Sequence, residues 1–434
     1  MDGPLICLAG FGLVVALLLL RVPIAVSLGV VGLGGLALLL SPEAAVIKAG
    51  VVTFTTISHY ELGTLPLFLF MAHILFSAGV STRLFDVAAR FVGHKPGGLA
   101  LASIAGCAAF GTVSGSSLAT AATMGLVALP EMKKAGYDPR LSTGSLAAGG
   151  TLGVLIPPSG ALIVYGVIAE QSIGKLFTAA IFPGLSQAAL YLVVVWLICR
   201  LNPSLGPVQP RRPWRERLAA LGGIADIMAL VLFVLAGIVI GWFTPTEAAA
   251  IGCIGALVIA AARRKLAIAM LRNAVAETLR TAGMLYLVII GALIFSAFVS
   301  ATDFASLISS WVEAIPGGKF GAILLMVVVL LVLGMFLDGM GIMLLMTPIF
   351  LPIIQQYGLS PIWFGIFLVR TIEMGFLTPP VGMNVYVIHG IAPDIPVSTI
   401  FRGVVPFYLA DLVHLAMLIV LPAITLWLPS VVGG

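Results

Sequence analysis

The sequence predicts an all-α polytopic membrane protein built on an inverted repeat, with two re-entrant helical hairpins and two broken transmembrane helices. Three observations lead to this prediction: the apolar composition, the distribution of charge between apolar segments, and a proline pair that recurs at a fixed distance. Of the 434 residues, 61% are hydrophobic and 9% are charged, whereas soluble domains carry about 25% charged residues. One span needs about 20 apolar residues, so the chain has room for roughly a dozen crossings.

Long apolar segments are predicted as full spans, and interrupted ones as hairpins. The predicted spans are 4–20, 22–40, 62–80, 141–169, 186–199, 224–243, 245–262, 281–300, 362–391 and 404–428. The blocks 98–129 and 320–354 are interrupted at their centres, so each is predicted to enter the membrane and return. Segments 43–57, 82–92 and 303–314 mix apolar and polar residues and are predicted to lie along the membrane interface.

The charges between the spans support this arrangement. If both interrupted blocks return without crossing, nearly all Lys and Arg residues fall on one side of the membrane. The exceptions are Lys48, Lys175 and Lys319 on the other side, and Arg370 within a span. The positive-inside rule makes the rich side cytoplasmic, so both termini are predicted to face outside. A full crossing by either block would remove this bias.

A proline pair marks an internal repeat. The sequence LIPPSG at 155–160 is matched by LTPPVG at 377–382, and Pro157 and Pro379 are 222 residues apart (379 minus 157). The same offset pairs Pro130 with Pro352, Gly136 with Gly358, Pro139 with Pro361, and Gly153 with Gly375. An odd number of predicted spans separates the two hairpins, so the copies are predicted to be inverted, as in many secondary transporters. The alternative, two parallel copies of a structural scaffold, requires an even number.

The repeat divides the chain into alternating scaffold and repeat segments. The predicted segments are 1–95 (N-terminal scaffold helices and an interfacial arm), 96–184 (first repeat module), 185–317 (central scaffold helices and a second arm), 318–406 (second repeat module) and 407–434 (C-terminal helix).

Glycine and hydroxyl residues are concentrated at the first hairpin turn, FGTVSGSSLATAATMG at 110–125. Irregular backbone at membrane depth requires protein or water around it. Gly111 and Gly115 permit close approach and positive φ. The hydroxyl side chains are those of Thr112, Ser114, Ser116 and Ser117. These oxygens, with freed carbonyls, suit a small hard cation; the alternative is tight helix packing by small residues, which we favour for the SLATAATMG part.

The second hairpin carries an ionisable residue. The 222-residue offset places Ser116 on Asp338, and an ionisable side chain within the membrane is by default a functional candidate. Asp338 is predicted to ligate a cation or to hold a polar group of a substrate. The alternative, capping of the following helix, is compatible with either role.

Further polar residues lie near the second break. Arg370 and Glu373 are three residues apart and can pair on one helix face. Arg370 either meets a substrate carboxylate through two hydrogen bonds or forms a structural bridge with Glu373, which is the preferred interpretation. Asn384 follows the second break and is a candidate donor to a substrate, and Ser159 occupies the matching stretch after the first break. Four residues near span ends are interpreted as interfacial: Asp226, Asp411, His389 and His414.

Several classes of function are excluded by missing motifs. The sequence contains no Walker loop and no HExxH spacing, and no nucleophile–base pattern is visible, so we expect neither an enzyme nor an organic cofactor. The four cysteines lie far apart in apolar segments without a CxxC spacing, which favours buried thiols over disulfides or metal ligands. The basic pI of about 9.1 is attributed to cytoplasmic loops rather than to a nucleic-acid partner.

Four motifs carry a family resemblance. FGTVSGSSLATAATMG, EMKKAGYDP, GTLGVLIPPSG and GFLTPPVGMN resemble the large membrane subunit of tripartite ATP-independent periplasmic (TRAP) transporters, within the ion transporter superfamily. The resemblance implies a sodium-driven importer of small organic acids in the bacterial inner membrane, working by an elevator motion, with both termini periplasmic. It also implies two protein partners, a small membrane subunit and a periplasmic substrate-binding protein. The alternatives are a sodium/anion symporter of the same superfamily that works without a binding protein, and a channel-like scaffold.

The resemblance also implies a set of site residues. The implied sodium ligands are Gly111, Ser114, Ser117, Gly153 and Ile156 at the first break, and Asp338, Gly375 and Thr378 at the second. Ser116, Ser159 and Asp338 are implied to face the substrate, and Asn384 and Arg370 complete the candidate substrate residues. Arg370 departs from the family's pattern, which leaves its role open.

Overall fold

The computed structural model describes residues 3–302, 304 and 317–432, and these residues form helices joined by turns and loops, with no strand among them. The prediction of an all-α protein is confirmed. The first helices are α1 (Gly3–Leu19), α2 (Ile24–Leu39), α3 (Pro42–Ser58), α4 (Thr64–Ser77), α5 (Val80–Val92), α6 (Gly98–Ser114), α7 (Ser117–Lys134), α8 (Pro139–Leu155), α9 (Gly160–Ile168) and α10 (Ile173–Leu201). They are followed by α11 (Trp214–Leu221), α12 (Ala225–Ile240), α13 (Pro245–Ala262), α14 (Ile268–Ser300), α15 (Gly318–Gly334), α16 (Gly339–Gln356), α17 (Pro361–Gly375), α18 (Met383–Ile391), α19 (Val397–Val420) and α20 (Ala423–Val432).

The helices are those of a multi-pass membrane protein. In the described part of the chain, six helices are long and apolar enough to cross a membrane, and bent helix pairs raise the number to as many as eight. One such pair is α8 and α9, which meet at an angle of 43°. Further apolar helices are shorter, among them α1, α2, α6, α15 and α20. The sequence-based estimate of about a dozen crossings exceeds the number of long helices. The reason is that part of the apolar sequence forms these shorter helices.

Some boundaries differ from the sequence-based ones. The predicted span 404–428 is wrong: α19 ends at Val420, and α20 begins after Pro422, because proline disfavours helical backbone at the residue before it. The predicted interfacial segments 43–57 and 82–92 correspond to α3 and α5. The third such segment, 303–314, lies outside the described residues except for Phe304.

The helix boundaries repeat with the sequence offset. Helix α7 begins at Ser117 and α16 at Gly339, which is 222 residues later (339 minus 117), and their ends, Lys134 and Gln356, differ by the same number (356 minus 134). Helices α8 and α17 end just before the two proline pairs, and both pairs contain a cis peptide bond. The repeat read in the sequence therefore recurs in the helices.

The helices pack in two groups. In the first group α2 packs against α14, α14 against α4, and α4 against α13. In the second group α8 packs against α6, α7 and α19, while α10 packs against α8, α17, α19 and α20. Contacts of α4 with α6 and α9, and of α14 with α16, connect the two groups. Both turns that carry the predicted site residues, between α6 and α7 and between α15 and α16, belong to helices outside the first group.

Candidate functional site

The turn between α6 and α7 lies against the break between α8 and α9. Gly115 adopts a left-handed conformation with φ of 58°, which glycine enters without steric cost. A Cβ atom at Gly115 would lie 3.1 Å from the carbonyl oxygen of Pro158. Ser116 follows in extended conformation and caps α7, where its Oγ accepts from Ala119 N at 3.4 Å. The tip of the first hairpin therefore approaches the first proline pair directly.

Several oxygens converge beside this contact. The Oγ of Ser114 lies 2.6 Å from Oγ1 of Thr120 and donates to the carbonyl oxygen of Ser116 at 3.3 Å. A Cβ atom at Gly153 would lie 2.7 Å from that same carbonyl oxygen and would also collide with Thr120 Oγ1. A Cβ atom at Gly111 would lie 2.7 Å from the Cα of Gly153. The structure thus brings together Gly111, Ser114 and Gly153 of the predicted first sodium site.

Thr120 belongs to this oxygen group but was missed by the sequence analysis. It lies in the SLATAATMG stretch, which was interpreted as packing. A signal was available, because Thr120 lies four residues after the helix-capping Ser116 and residues four apart share a helix face. Ile156 is the C-cap residue that follows α8, and its N–H donates to the carbonyl oxygen of Leu152.

The turn between α15 and α16 meets the second break in a similar way. The carboxylate of Asp338 caps α16 by accepting from the N–H groups of Met340 and Gly341 at 3.0 and 3.1 Å. A Cβ atom at Gly375 would lie 2.6 Å from the Cα of Gly334, so α15 and α17 touch through glycines, as α6 and α8 do. The Oγ1 of Thr378 donates to the carbonyl oxygen of Met374 at 2.8 Å.

Both hairpin tips open onto one cavity of about 140 Å³. Its polar side chains are those of Ser116, Ser117, Asp338 and Glu373. The other lining residues are glycines and apolar residues: Gly115, Leu118, Val154, Ala161, Gly339, Met340, Met343, Val369, Ile372 and Phe376. The cavity wall therefore carries two carboxyl groups and no basic side chain among the described residues. The N-terminal ends of α7 and α16 contribute Ser117 and Gly339 to it.

Glu373 is the unexpected member of the cavity wall. Its side chain is 4% exposed, and its Oε2 has no hydrogen-bond partner in the described part of the chain. The predicted bridge between Glu373 and Arg370 is wrong. The Nη2 of Arg370 instead lies 2.5 Å from Oδ1 of Asp411 on α19. The spacing of Arg370 and Glu373 indicates only that both lie on one side of α17. The partner of Arg370 depends on which side chains of the neighbouring helix lie within reach, and here Asp411 does.

The interfacial interpretation of Asp411 and His414 is also wrong. Both are 0% exposed within α19, which extends well beyond them in both directions. Oδ1 of Asp411 accepts from Gln187 Nε2 at 2.6 Å. Nδ1 of His414 accepts from Arg370 Nε at 3.3 Å, and its Nε2 lies 2.9 Å from Ser186 Oγ. Because arginine only donates, Nδ1 carries no proton and Nε2 donates to the serine.

Three predicted substrate residues lie behind the cavity wall. Arg370 is 1% exposed and is held in the pair with Asp411. Asn384 is fully buried, and its Nδ2 donates to Ser117 Oγ at 3.0 Å and to the carbonyl oxygen of Ala147 at 3.1 Å. Ser159 is fully buried and caps α9. Asn384 therefore connects the second repeat to the hairpin tip of the first and holds Ser117 in the cavity wall.

Comparisons with known proteins bear on the fold and on the family of this chain. The crystal structure of the Alcanivorax borkumensis YdaH transporter has a similar fold, with a TM-score of 0.58, 15% identity, and coverage of 86% of this chain and 87% of that one. The C4-dicarboxylate TRAP transporter large permease protein DctM of Pseudomonas aeruginosa is 35% identical over 92% of this chain and 93% of its own length. The ectoine TRAP transporter large permease protein TeaC of Halomonas elongata is 32% identical over 85% of this chain and 86% of its own.

These relatives are transport permeases rather than enzymes. The family model described as the DctM component of the tripartite ATP-independent periplasmic transporter matches residues 11–424. The chain therefore belongs to the DctM family, the large membrane subunit of TRAP transporters.

Proposed function

We propose that this chain is the transport subunit of a sodium-coupled secondary importer of small organic acids in the bacterial inner membrane. One observation carries the proposal: two hairpin tips and two helix breaks, related by one sequence offset, surround a single cavity. Discontinuous helices around a central site are typical of secondary transporters, where helix ends supply charge to substrate and ions. A channel requires a continuous pore, and a cavity bounded by two tips is better suited to alternating access.

The proposed sodium sites lie beside the cavity, one at each break. At the first, the hydroxyls of Ser114 and Thr120 and the carbonyl oxygen of Ser116 gather next to Gly153. At the second, Asp338 is proposed to act with backbone oxygens around Gly375 and Thr378. Hard cations prefer such oxygen ligands, and the C-terminal ends of α8 and α17 favour positive charge. Sodium ions are the proposed coupling ions, with no organic cofactor.

The substrate is proposed to be an organic acid held between the two tips. Ser116 and Asp338 line the cavity, and the N-terminal ends of α7 and α16 favour an anionic group there. Ser159, Asn384 and Arg370 are then positioning residues behind the wall. The relatives are named for C4-dicarboxylates and ectoine, which differ in charge. We therefore propose a small carboxylate without assigning one compound.

The two packing groups support an elevator motion. We infer that α1–α4 and α12–α14 form a scaffold, and that the helices of the two repeat modules, α6–α9 and α15–α18, move with the cavity. The repeats are proposed to be inverted, and both termini to be periplasmic, from the odd number of intervening spans and the positive-inside rule. A small membrane subunit and a periplasmic substrate-binding protein are the proposed partners.

Reconstitution tests the proposal. Vesicles carrying this chain and its two partner proteins are expected to accumulate an organic acid from a panel only under an inward sodium gradient. Asp338→Asn should abolish this uptake at normal protein level, while Asp86→Asn, an exposed carboxylate paired with Arg90 at 2.9 Å, should leave it intact. Uptake by Asp338→Asn equal to that of the unmodified protein would remove Asp338 from the site. Uptake without the binding protein would instead favour the symporter alternative.

A further inference from the structure

We propose that a groove between α5, α6, α10 and α12 binds one anionic phospholipid of the cytoplasmic leaflet. The groove has a volume of about 580 Å³, is separate from the cavity described above, and is lined almost entirely by apolar side chains. Phe91, Ala105, Trp196 and Met228 represent the four helices. Lys95, in the turn between α5 and α6, is its one charged lining residue.

The apolar part of the groove has the depth of one leaflet. Leu101, Ala105 and Ala109 follow one another on α6 at intervals of four residues and all line the groove. Eight residues of α-helix extend about 12 Å, and half of a bilayer's hydrocarbon core is about 15 Å. The small side chains of Ala105 and Ala109 leave space along this face of α6, which suits an acyl chain.

Besides Lys95, which lines the groove, two further cations lie next to its lining residues. The guanidinium carbon of Arg200 lies 5.0 Å from the ring centroid of Trp196. Arg83 lies near α12: its Nη1 is 3.8 Å from the position of a Cβ atom at Gly223, the residue before the lining Ile224. Lys95, Arg200 and Arg83 form no salt bridge with any carboxylate that the structure describes.

The acidic groups at the same end are already paired. Asp86 lies 2.9 Å from Arg90, and Asp226 lies 2.5 Å from Arg263. They therefore do not neutralise the cations at the mouth. The net charge at this end of the groove is positive, which complements a phosphate group.

His94, one residue before Lys95, lies among several cations. Burial, and next the positive charges of Arg217, Arg211 and Lys95, lower the pKa of this imidazole. His94 lies in the loop that precedes α6, outside the apolar helices. Arg217 and Arg211 therefore add to the positive charge around Lys95.

An anionic lipid satisfies both parts of the groove. Basic pockets between transmembrane helices on the cytoplasmic side bind anionic head groups, and tryptophan is enriched at the level of the head groups. The charge distribution in the sequence places Lys95, Arg83 and Arg200 on the cytoplasmic side. A zwitterionic lipid fills the apolar part equally well but leaves the cations without a net opposite charge. We therefore assign the groove to a lipid such as phosphatidylglycerol.

Native mass spectrometry of the purified protein tests the assignment. After exchange into detergent with equal amounts of phosphatidylglycerol and phosphatidylcholine, the unmodified protein should retain phosphatidylglycerol. The double variant Lys95→Ala/Arg200→Ala should lose affinity for it by about fivefold per charge removed, with phosphatidylcholine unchanged. The control Lys48→Ala/Lys319→Ala removes two exposed cations from the predicted opposite side and should retain phosphatidylglycerol. Equal retention by the two double variants would overturn the site.

A crosslinking experiment tests whether a phospholipid occupies the groove. A photoreactive amino acid at Val193, which lines the groove and is 47% exposed, should form an adduct with phospholipid in native membranes. Ala105→Trp in the same background should remove the adduct, because the indole fills the groove while the cations remain. An adduct with a polypeptide, such as a partner subunit of the transporter, would show that protein covers this face and would contradict the proposal.

Discussion

The buried pair of Arg370 and Asp411 allows a quantitative prediction. The two side chains are 1% and 0% exposed and lie 2.5 Å apart, and Asp411 also accepts from Gln187. Removing one partner of a buried pair leaves the other charge uncompensated, which costs about 3–5 kcal/mol. We therefore expect Asp411→Asn and Arg370→Leu each to lower the free energy of unfolding by about that amount.

The double variant distinguishes two free energies: the cost of leaving one buried charge without its partner, and the net contribution of the pair to stability. Replacement of a buried ion pair by apolar residues is often neutral or stabilising. Arg370→Leu/Asp411→Leu should therefore recover most of the stability lost by either single variant. The part not recovered corresponds to the hydrogen bonds that Gln187 and His414 lose. The loss in the double variant should be smaller than the loss in Arg370→Leu alone.

Unfolding is measured in a mild detergent by two methods on the same samples, thermal aggregation and denaturant titration. Uptake by the double variant in vesicles then gives a second measurement. Transport near the unmodified level assigns Arg370 to structure alone, whereas loss of transport with stability restored shows that Arg370 positions the cavity wall for transport. The reasoning fails if Asp411→Asn costs less than about 1 kcal/mol, or if the double variant is less stable than both single variants.

Two further predictions concern the first sodium site and an exposed ion pair. Gly153→Ala should abolish sodium-dependent uptake at normal protein level, because the added Cβ would meet Thr120 Oγ1 and the nearby hairpin backbone; Gly12→Ala, where an added Cβ meets nothing within 4 Å, should transport normally, and equal uptake by the two variants would contradict the geometry. The hydrogen bond from Lys133 lowers the pKa of Asp394, so this pair stabilises the fold above the ordinary carboxyl pKa of about 3.9 and ceases to do so as the pH falls through the lower folded value. Lys133→Met should therefore lower Tm slightly at pH 6 and not at all near pH 2, and a constant difference in Tm would refute the pairing.

The sequence predicted the features that depend on solvation and on backbone chemistry. The apolar composition requires a membrane because too few charged residues are present to cover a soluble surface. Both proline pairs end helices, because proline removes an N–H donor and clashes with the preceding turn. Gly115 permits the left-handed turn at the first hairpin tip, and Asp338 caps the helix that follows it. These effects act within a few residues of the chain, so they are readable without knowing the packing.

Other features were decided only by tertiary packing. The partner of Arg370 is Asp411 rather than Glu373, and Glu373 lies in the cavity wall with one oxygen free of any partner that the structure describes. Asn384 reaches across the repeat boundary to Ser117. Spacing along a helix determines which residues share a face, but the rotation of that helix against its neighbours determines which side chains meet. That rotation is set by contacts between residues far apart in the chain. For that reason the sequence alone predicted the two helix breaks at the proline pairs, and the folded structure decided which charged side chains meet beside them.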